Sequence, residues 1–554
     1  MEGLQRKIVI VAVVLVCIAT FFVNNDTIAP DIMESRNIIT AREMVYDNHW
    51  IVTTMNGDLR LEKPPLPTWC TAIAEILRPD SIAMQRSMAA VAALLMVFFF
   101  WKMARRVLKI DPLMPTLLLC TCYNVVLMGR TASWDIYCHA FMLGGIYFFA
   151  LAWMEGPGQK AWLNMLAAGL MTGLSIMSKG PVSLYALFLP FLISFWIVYR
   201  PSMRGKWWAL IAMIVVALVV GGWWYGLIHF LHSDSLQAVV EKESGSWVNR
   251  NVRPWWYYWK FFLETGCWSL LLITAMCYWV PVTGSWKRDF GKIARPWLFS
   301  LAWMLASLIL LSFLPEKKSR YLLPILIPAA YLMGCLILHW RDIFASYTRG
   351  TVADRVCFRI NAYLLSAVVA ALPALGWVFA TKPGYMSLAL WIVLTVVCAA
   401  IAAWLIWSAI KLRPLAMVVA ITMLFVYAEC CVMPSTRNII NNPEMHSIAA
   451  TRQIPALQGV PFYSLPQDSL RIELVYAANR KIRPLTSTAP DSLRRLMPFV
   501  ILTHGPVGNY LPAQLWQYAD SAYIDTYDDN RRPSNNKRHS PVFLYDAYLI
   551  TPRQ

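Results

Sequence analysis

Nine residues from five separate stretches of the chain could together handle a phosphate and a reacting oxygen. They are the carboxylates Asp31, Glu34 and Asp135, the cations Arg36, Lys63, Lys179, Lys318 and Arg320, and the phenol Tyr321. Asp31 and Glu34 stand three apart, so on a helix they share a face, and Arg36 and Arg42 follow closely. Asp135 ends the run Gly129-Arg130-Thr131-Ala132-Ser133-Trp134-Asp135 at the mouth of an apolar span. An ionisable group there is costly to bury and often functional. The alternative is an acid that simply complements a helix N-terminus. Lys63 precedes Pro64-Pro65, which stiffens the chain and fixes an ammonium group, although a lysine near a membrane also snorkels. Lys317-Lys318-Ser319-Arg320, beside Tyr321, suits a substrate phosphate or a patch for anionic headgroups equally well. There is no Walker loop, dinucleotide glycine fingerprint or His-Glu-x-x-His, and no divalent-metal constellation, so neither a cofactor nor a metal is expected.

These groups must be positioned by membrane-spanning elements. The chain is 58% hydrophobic and only 14% charged, where a soluble domain carries nearer a quarter. Its net charge of +18 does not imply nucleic acid, because the basic residues fall in short loops between apolar spans, with no basic tail or recognition motif. Membrane lipids are the partner that this charge fits. The 12 cysteines lie nearly all in or beside apolar spans without metal spacing and read as small buried hydrophobes. Arg6 and Lys7 precede the first apolar run, and Asn24-Asn25-Asp26 follows it in place of a cleavage site, so a retained signal anchor is expected.

Apolar runs long enough to cross a bilayer occur at 8–23, 82–101, 112–129, 136–153, 161–177, 181–199, 208–230, 259–281, 296–314, 321–339, 360–380, 386–409 and 414–433. Thirteen spans put the two chain ends on opposite sides. Every loop on the N-terminal side is basic: Lys102 to Lys109, Arg200 to Lys206, Lys287-Arg288-Lys292-Arg295, Arg341-Arg349-Arg355-Arg359 and Lys411-Arg413. The expected orientation is N-terminus inside and C-terminus outside. The outer loops, chiefly 24–81 and 231–258, mix acids, amides, aromatics and isolated cations. Within the first, 32–46 alternates Ile32, Ile38, Ile39, Met44 and Val45 with charged residues at helical spacing, which predicts a helix lying along the interface.

Composition shifts at about 434. Strand signals at Val460-Pro461-Phe462-Tyr463, Phe499-Val500-Ile501-Leu502 and Val542-Phe543-Leu544-Tyr545 alternate with a helix signal at 472–480. A small α/β domain is expected on the outer face. The expected organisation is thus a polytopic α-helical membrane domain over 1–433, containing the loop 24–81 with interfacial helices, and a soluble domain over 434–554.

The first outer loop, Glu34-Ser35-Arg36, Ala41-Arg42-Glu43-Met44, Trp50-Ile51-Val52, Asn56-Gly57 and Glu62-Lys63-Pro64-Pro65-Leu66 with Trp69, resembles that of the bacterial ArnT-like transferases. These are aminoarabinose transferases of lipid A, kin of the protein O-mannosyltransferases among the GT-C membrane glycosyltransferases. Further matches follow in order: Arg130 with Asp135, Ser178-Lys179-Gly180-Pro181, Trp223-Trp224-Tyr225, Arg253-Pro254-Trp255-Trp256-Tyr257-Tyr258 and Lys318-Ser319-Arg320-Tyr321-Leu322-Leu323-Pro324. The similarity runs through the whole membrane domain, and the soluble domain matches only by position and class.

The resemblance implies an inner-membrane enzyme with a periplasmic C-terminal domain. Its sugar donor would be a polyprenyl phosphate such as undecaprenyl phosphate, and its acceptor lipid A or a related envelope glycolipid. It implies Glu34, Asp31 and Asp135 as catalytic acids, with Lys63, Arg36, Lys318, Arg320, Tyr321 and Lys179 around the donor phosphate. The family places aspartate directly before the glutamate, and this chain has Met33 there, with Asp31 two residues earlier. Glu34 therefore ranks first and Asp31 second as the first acid. A hydroxyl acceptor requires a general base, whereas a phosphate acceptor is already ionised and tolerates the missing aspartate more readily. The rival readings are transfer to Ser or Thr of exported proteins, and a lipid or sugar transporter, which would want polar residues near mid-membrane.

Overall fold

The computed structural model describes residues 2–553 apart from 279–292, 347–349, 443 and 469. Of the basic loop residues, Lys287, Arg288, Lys292 and Arg349 lie outside the described residues. The chain divides into two compact units, one of residues 1–27, 61–70 and 80–435, the other of 28–60, 71–79 and 436–554.

The first unit is helical. Among the described residues, ten helices are long and apolar enough to cross a membrane, from Ile82–Leu108 to Pro414–Ile440. The other three expected spans differ. Lys7–Phe21 and Leu184–Tyr199 are shorter apolar helices, and 112–129 is broken into Leu113–Cys120 and Tyr123–Gly129. Polar side chains occupy the break: Thr121 Oγ1 bonds back to the Leu117 carbonyl and accepts from Trp268 Nε1 at 2.8 Å. The segment Ser319–Ala345 is buried nearly all round, as a helix apolar on every face must be at the centre of a bundle. Helix Gln159–Lys179 packs closely on Trp207–Leu231 through Gly169 and Gly173, four apart on one face. A Cβ at Gly173 would come within 2.6 Å of Val220 Cβ, so the approach depends on small residues, as it commonly does between helices in lipid.

The second unit holds a five-stranded sheet. Strands β1 (Thr54–Met55) and β2 (Asp58–Leu59) form a separate hairpin. The sheet strands are β3 (Phe462–Ser464), β4 (Ile482–Pro484), β5 (Phe499–Thr503), β6 (Ala519–Asp528) and β7 (Leu544–Pro552), in the order β4-β3-β5-β7-β6. β3 is parallel to both β4 and β5, while β7 is antiparallel to β5 and β6. Helix Ile472–Ala478 joins the apolar layer on one face of the sheet and Pro490–Leu496 the layer on the other. The expected strands and helix are present. β6 escapes sequence inspection because it is an edge strand rich in Asp, Ser, Tyr and Thr and exposed over 520–523.

Helix Ile32–Tyr46 belongs to this second unit, with Ile39 in its core beside Phe462 and Val475. The expectation of a helix lying along an interface does not describe it: Glu34, Ser35 and the whole run Asn37 to Met44 are buried, leaving no solvated face opposite an apolar stripe. Asn56 and Gly57, both at positive φ (57° and 80°), make the tight turn between β1 and β2. The Asn56 side chain donates to the Ile482 carbonyl at 2.6 Å and accepts from the Ile482 N–H at 2.9 Å, fastening the hairpin to the edge of β4.

Candidate active site

Helices Trp134–Met154 and Gln159–Lys179 are joined by four residues and pack side by side. The start of one therefore lies against the end of the other, and Asp135 meets Lys179 in a buried ion pair. Both ends favour the charges they carry, an acid in a first turn and a cation in a last turn. Gly180 then turns the chain at φ 76°, where any Cβ would also lie 3.2 Å from the Tyr225 hydroxyl.

The turn 315–322 comes to the same place. The Lys179 ammonium lies 4.9 Å from the centre of the Tyr321 ring, and Lys318 Nζ lies 5.6 Å from it. Lys318 is ion-paired with Glu316, and the Tyr321 hydroxyl donates to Glu316 at 3.4 Å. Arg320 is within electrostatic range of Asp135, yet its guanidinium makes no hydrogen bond or ion pair among the described residues. Lys317 differs from its neighbours: its ammonium is committed to the Leu314 carbonyl, and burial lowers its pKa. The Tyr258 hydroxyl bridges the backbone of Lys318, accepting from its N–H at 2.9 Å and donating to its carbonyl. Asn124, at the break in span 112–129, donates to the Ser319 carbonyl and to Glu264, both at 3.0 Å.

Five of the nine candidates, Asp135, Lys179, Lys318, Arg320 and Tyr321, thus form one cluster in the first unit. Lys63, in the same unit, pairs instead with Glu243 at 3.1 Å, an acid of helix Ser233–Asn249 that the sequence did not single out. Glu316 and Asn124 were also missed, and Tyr258 was quoted only as part of a matching run, without a role. Asn124 carried a usable signal, an amide inside an apolar run.

The second unit places the remaining three. Asp31 is the N-cap of helix Ile32–Tyr46, accepting from Met33 N and Glu34 N at 2.8 Å, while Glu34 reaches back to the Asp31 N–H at 3.3 Å. This is a capping box, so Asp31 precedes the helix and does not share a face with Glu34. Glu34 itself is 3% exposed. Arg36 Nε is buried and has no hydrogen-bond partner among the described residues. Arg42 is structural: it pairs with Glu75, donates to the Tyr476 carbonyl at 3.2 Å and lies 5.0 Å over the Tyr476 ring. Arg130, in the first unit, caps the first helix by donating to the carbonyls of Thr20, Val23 and Asn24, and pairs with Glu429 at 2.8 Å.

Residues 62–225, which carry Lys63, Asp135 and Lys179, match the family model described as dolichyl-phosphate-mannose-protein mannosyltransferase. A relative from Pseudomonas fluorescens, named undecaprenyl phosphate-alpha-4-amino-4-deoxy-L-arabinose arabinosyl transferase 1, is 26% identical over 69% of this chain and 65% of its own length. A transferase of the corresponding name from Shewanella sediminis is 24% identical over 56% of this chain and 55% of its own. The matches therefore span less than two thirds of these relatives. ArnT from Cupriavidus metallidurans, solved in the apo state and bound to undecaprenyl phosphate, has a TM-score of 0.61 at 17% identity, with 99% of this chain and 98% of that one covered. The chain is thus a polytopic helical membrane protein with a small sheet-bearing unit, similar in fold to the Cupriavidus protein.

Proposed function

We propose that this chain is an inner-membrane glycosyltransferase that moves a sugar from undecaprenyl phosphate, or a related polyprenyl phosphate, to lipid A or a similar envelope glycolipid. The observation that carries the reading is the Asp135–Lys179–Tyr321–Lys318 cluster with Arg320 beside it as an uncommitted cation. The named activity of the relatives and the fold of the undecaprenyl phosphate-bound structure support it. The N-terminus is assigned to the cytoplasmic side and the sheet-bearing unit to the periplasmic side, on the basic character of the inner loops.

In the reaction, an acceptor oxygen attacks the anomeric carbon and the bond from that carbon to the phosphate oxygen breaks. The electron pair leaves with the polyprenyl phosphate. Charge grows on that phosphate, and Arg320 and the lysines Lys63, Lys179 and Lys318 are the groups assigned to meet it, with Tyr321 offering a hydroxyl. Preorganised cations of this kind contribute several kcal/mol where water is excluded. Asp135 orients Lys179 and keeps the cluster from being purely cationic. A phosphate on lipid A needs no base. A hydroxyl acceptor does, and Glu34 is then the first candidate, with Asp31 second and already engaged as a helix cap.

A second reading, transfer to Ser or Thr of exported proteins, is favoured by the mannosyltransferase family match. The deciding experiment compares lipid A and exported-protein glycans by mass spectrometry in cells lacking this gene, complemented with wild type, Arg320→Ala or Glu34→Gln. The expected result is a sugar-sized mass on lipid A that requires the gene and fails with Arg320→Ala. A mass lost from protein alone would move the assignment to the second reading and make Glu34→Gln inactive. No change in either pool would overturn both.

A further inference from the structure

Glu316 is the one acid in the turn 315–322, and the transfer step assigns it no role. The residue is 8% exposed, its carboxylate is ion-paired with Lys318, and its Oε2 accepts from the Tyr321 hydroxyl at 3.4 Å. The main chain around it is held on both sides. Glu316 pairs with Val252 in an antiparallel bridge, the Arg253 N–H donates to the Pro315 carbonyl at 3.3 Å, and the Lys317 N–H donates to the Asn251 carbonyl at 3.2 Å. Tyr258 clamps Lys318 through both of its backbone groups. A carboxylate held in this way is a fixed part of the field that a ligand meets.

Five charged groups converge on Tyr321. The Lys179 and Lys318 ammonium groups lie 4.9 and 5.6 Å from the centre of its ring, and Glu316, Asp135 and Arg320 are within electrostatic range of its hydroxyl. Three cations and two acids leave this set at +1. Lys63 is neutralised by Glu243, and the Lys317 ammonium is bound to the Leu314 carbonyl, so neither belongs to the set.

The transfer proposed above changes the charge of the phosphate. The donor is a phosphodiester with a single negative charge. When the bond from the anomeric carbon to oxygen breaks, the electron pair stays on the phosphate oxygen, and the leaving polyprenyl phosphate is a monoester. Its second ionisation falls at about pH 6, so near neutrality it carries close to two charges. A set at +1 matches the donor and not the product.

We infer that Glu316 sets the charge of this cluster for release of the polyprenyl phosphate product, and so discriminates a phosphodiester from a phosphomonoester. The inference rests on the polyprenyl-phosphate reading of the same site. Without the Glu316 carboxylate the set would stand one charge higher, and it would hold the product. Coulomb energy is proportional to ligand charge, so loss of one fixed acid strengthens binding of a dianion by the square of its effect on a monoanion. Loss of a purely structural support would instead weaken both ligands together.

The test uses the full-length protein in detergent, buffered at about pH 8 to ionise the monoester fully. Radiolabelled undecaprenyl phosphate is the monoester probe and its methyl ester the diester probe, with both affinities read by scintillation proximity. Glu316→Gln should bind the diester about tenfold tighter and the monoester about a hundredfold tighter, so its preference for the monoester rises about tenfold. Its kcat and KM should fall together as release becomes limiting. Glu316→Asp keeps the charge and should keep the wild-type preference. The double variant Glu316→Gln, Lys318→Met restores the set to its wild-type charge and should restore the preference. It also leaves no stranded lysine, which secures the comparison should the single variant not fold. An unchanged preference in Glu316→Gln, or a double variant whose preference departs from wild type, would overturn the inference and leave the transferase reading standing. Wild-type protein that binds neither probe would overturn both.

Discussion

Asp135 is 2% exposed and its partner Lys179 has only 9% of its side chain exposed, so each charge depends on the other. Removing one member of such a buried pair leaves an uncompensated charge, at a cost of about 3–5 kcal/mol. Lys179→Met and Asp135→Leu should each destabilise the protein by that amount, while the double variant should lose markedly less. Unfolding in detergent through a double-mutant cycle measures the difference. Arg320 is the opposite case: half-buried, close to the pair and bonded to nothing in the described protein. Arg320→Ala should leave the unfolding midpoint near wild type and lower turnover by about 10²–10³, the usual loss when a donor to developing charge is removed. Arg320→Lys should restore only part of it, because a point charge cannot reproduce a bidentate fork. All the cluster residues were legible as types. Their pairing was not, because Lys63 and Lys179 looked equivalent in the chain and found Glu243 and Asp135 respectively.

Elements decide which acid can act. The spacing of Asp31 and Glu34 was compatible with a shared helix face or with a cap, and helix initiation at Ile32 selects the cap. Asp31→Ala should therefore cost the second unit about 1 kcal/mol, the typical loss for an N-cap, seen as a lower unfolding midpoint of that unit. Asp31→Asn or Asp31→Ser should recover most of it without a carboxylate. If turnover follows stability across this series, Asp31 acts as a cap. If Asn and Ser restore the midpoint and not the turnover, it acts as an acid. At the other end of the cluster, Gly180→Ala forces a Cβ into φ 76° beside the Tyr225 hydroxyl, and about 1–2 kcal/mol is expected from the backbone alone. The apolar helices of the membrane unit were readable, whereas helix Ser233–Asn249, inside the expected outer loop 231–258, was not. The break at 121–122 was not readable either, since Thr121 and Asn124 each look tolerable in an apolar run until Trp268 and Ser319 are seen bonding to them.

For the protein as a whole, acid residues of the second unit give stability a pH dependence. Burial raises the pKa of Glu43, against hydrogen bonds from Thr54 and Gly57, and burial likewise raises Asp468 and Asp529. A carboxyl with a higher pKa folded than unfolded binds more protons in the native state, so stability falls as pH rises from the unfolded value through the folded one. Asp528 has the opposite sign: burial acts to raise it, but the bonds from His539 and Asn530 outweigh that and leave it lowered. Three against one, the unfolding midpoint of this unit should decline as pH climbs from about 4 through the raised carboxylate range. Glu43→Gln should flatten the slope, as thermal unfolding across that range would record.

The sequence by itself determined the apolar spans, the mixed character of the first outer loop, the strands β3, β5 and β7 with their helix, and the residue types that could handle a phosphate. Those features are local: a transmembrane helix needs only a run of apolar side chains, and a buried strand only a short run bounded by turns. Tertiary structure decided which charges neutralise one another. It put the Asn56–Gly57 turn on β4 and Ile39 among the residues of the sheet core, more than four hundred positions away in the chain. Pairings of that kind are set by which surfaces exclude water together, and a linear pattern does not record them.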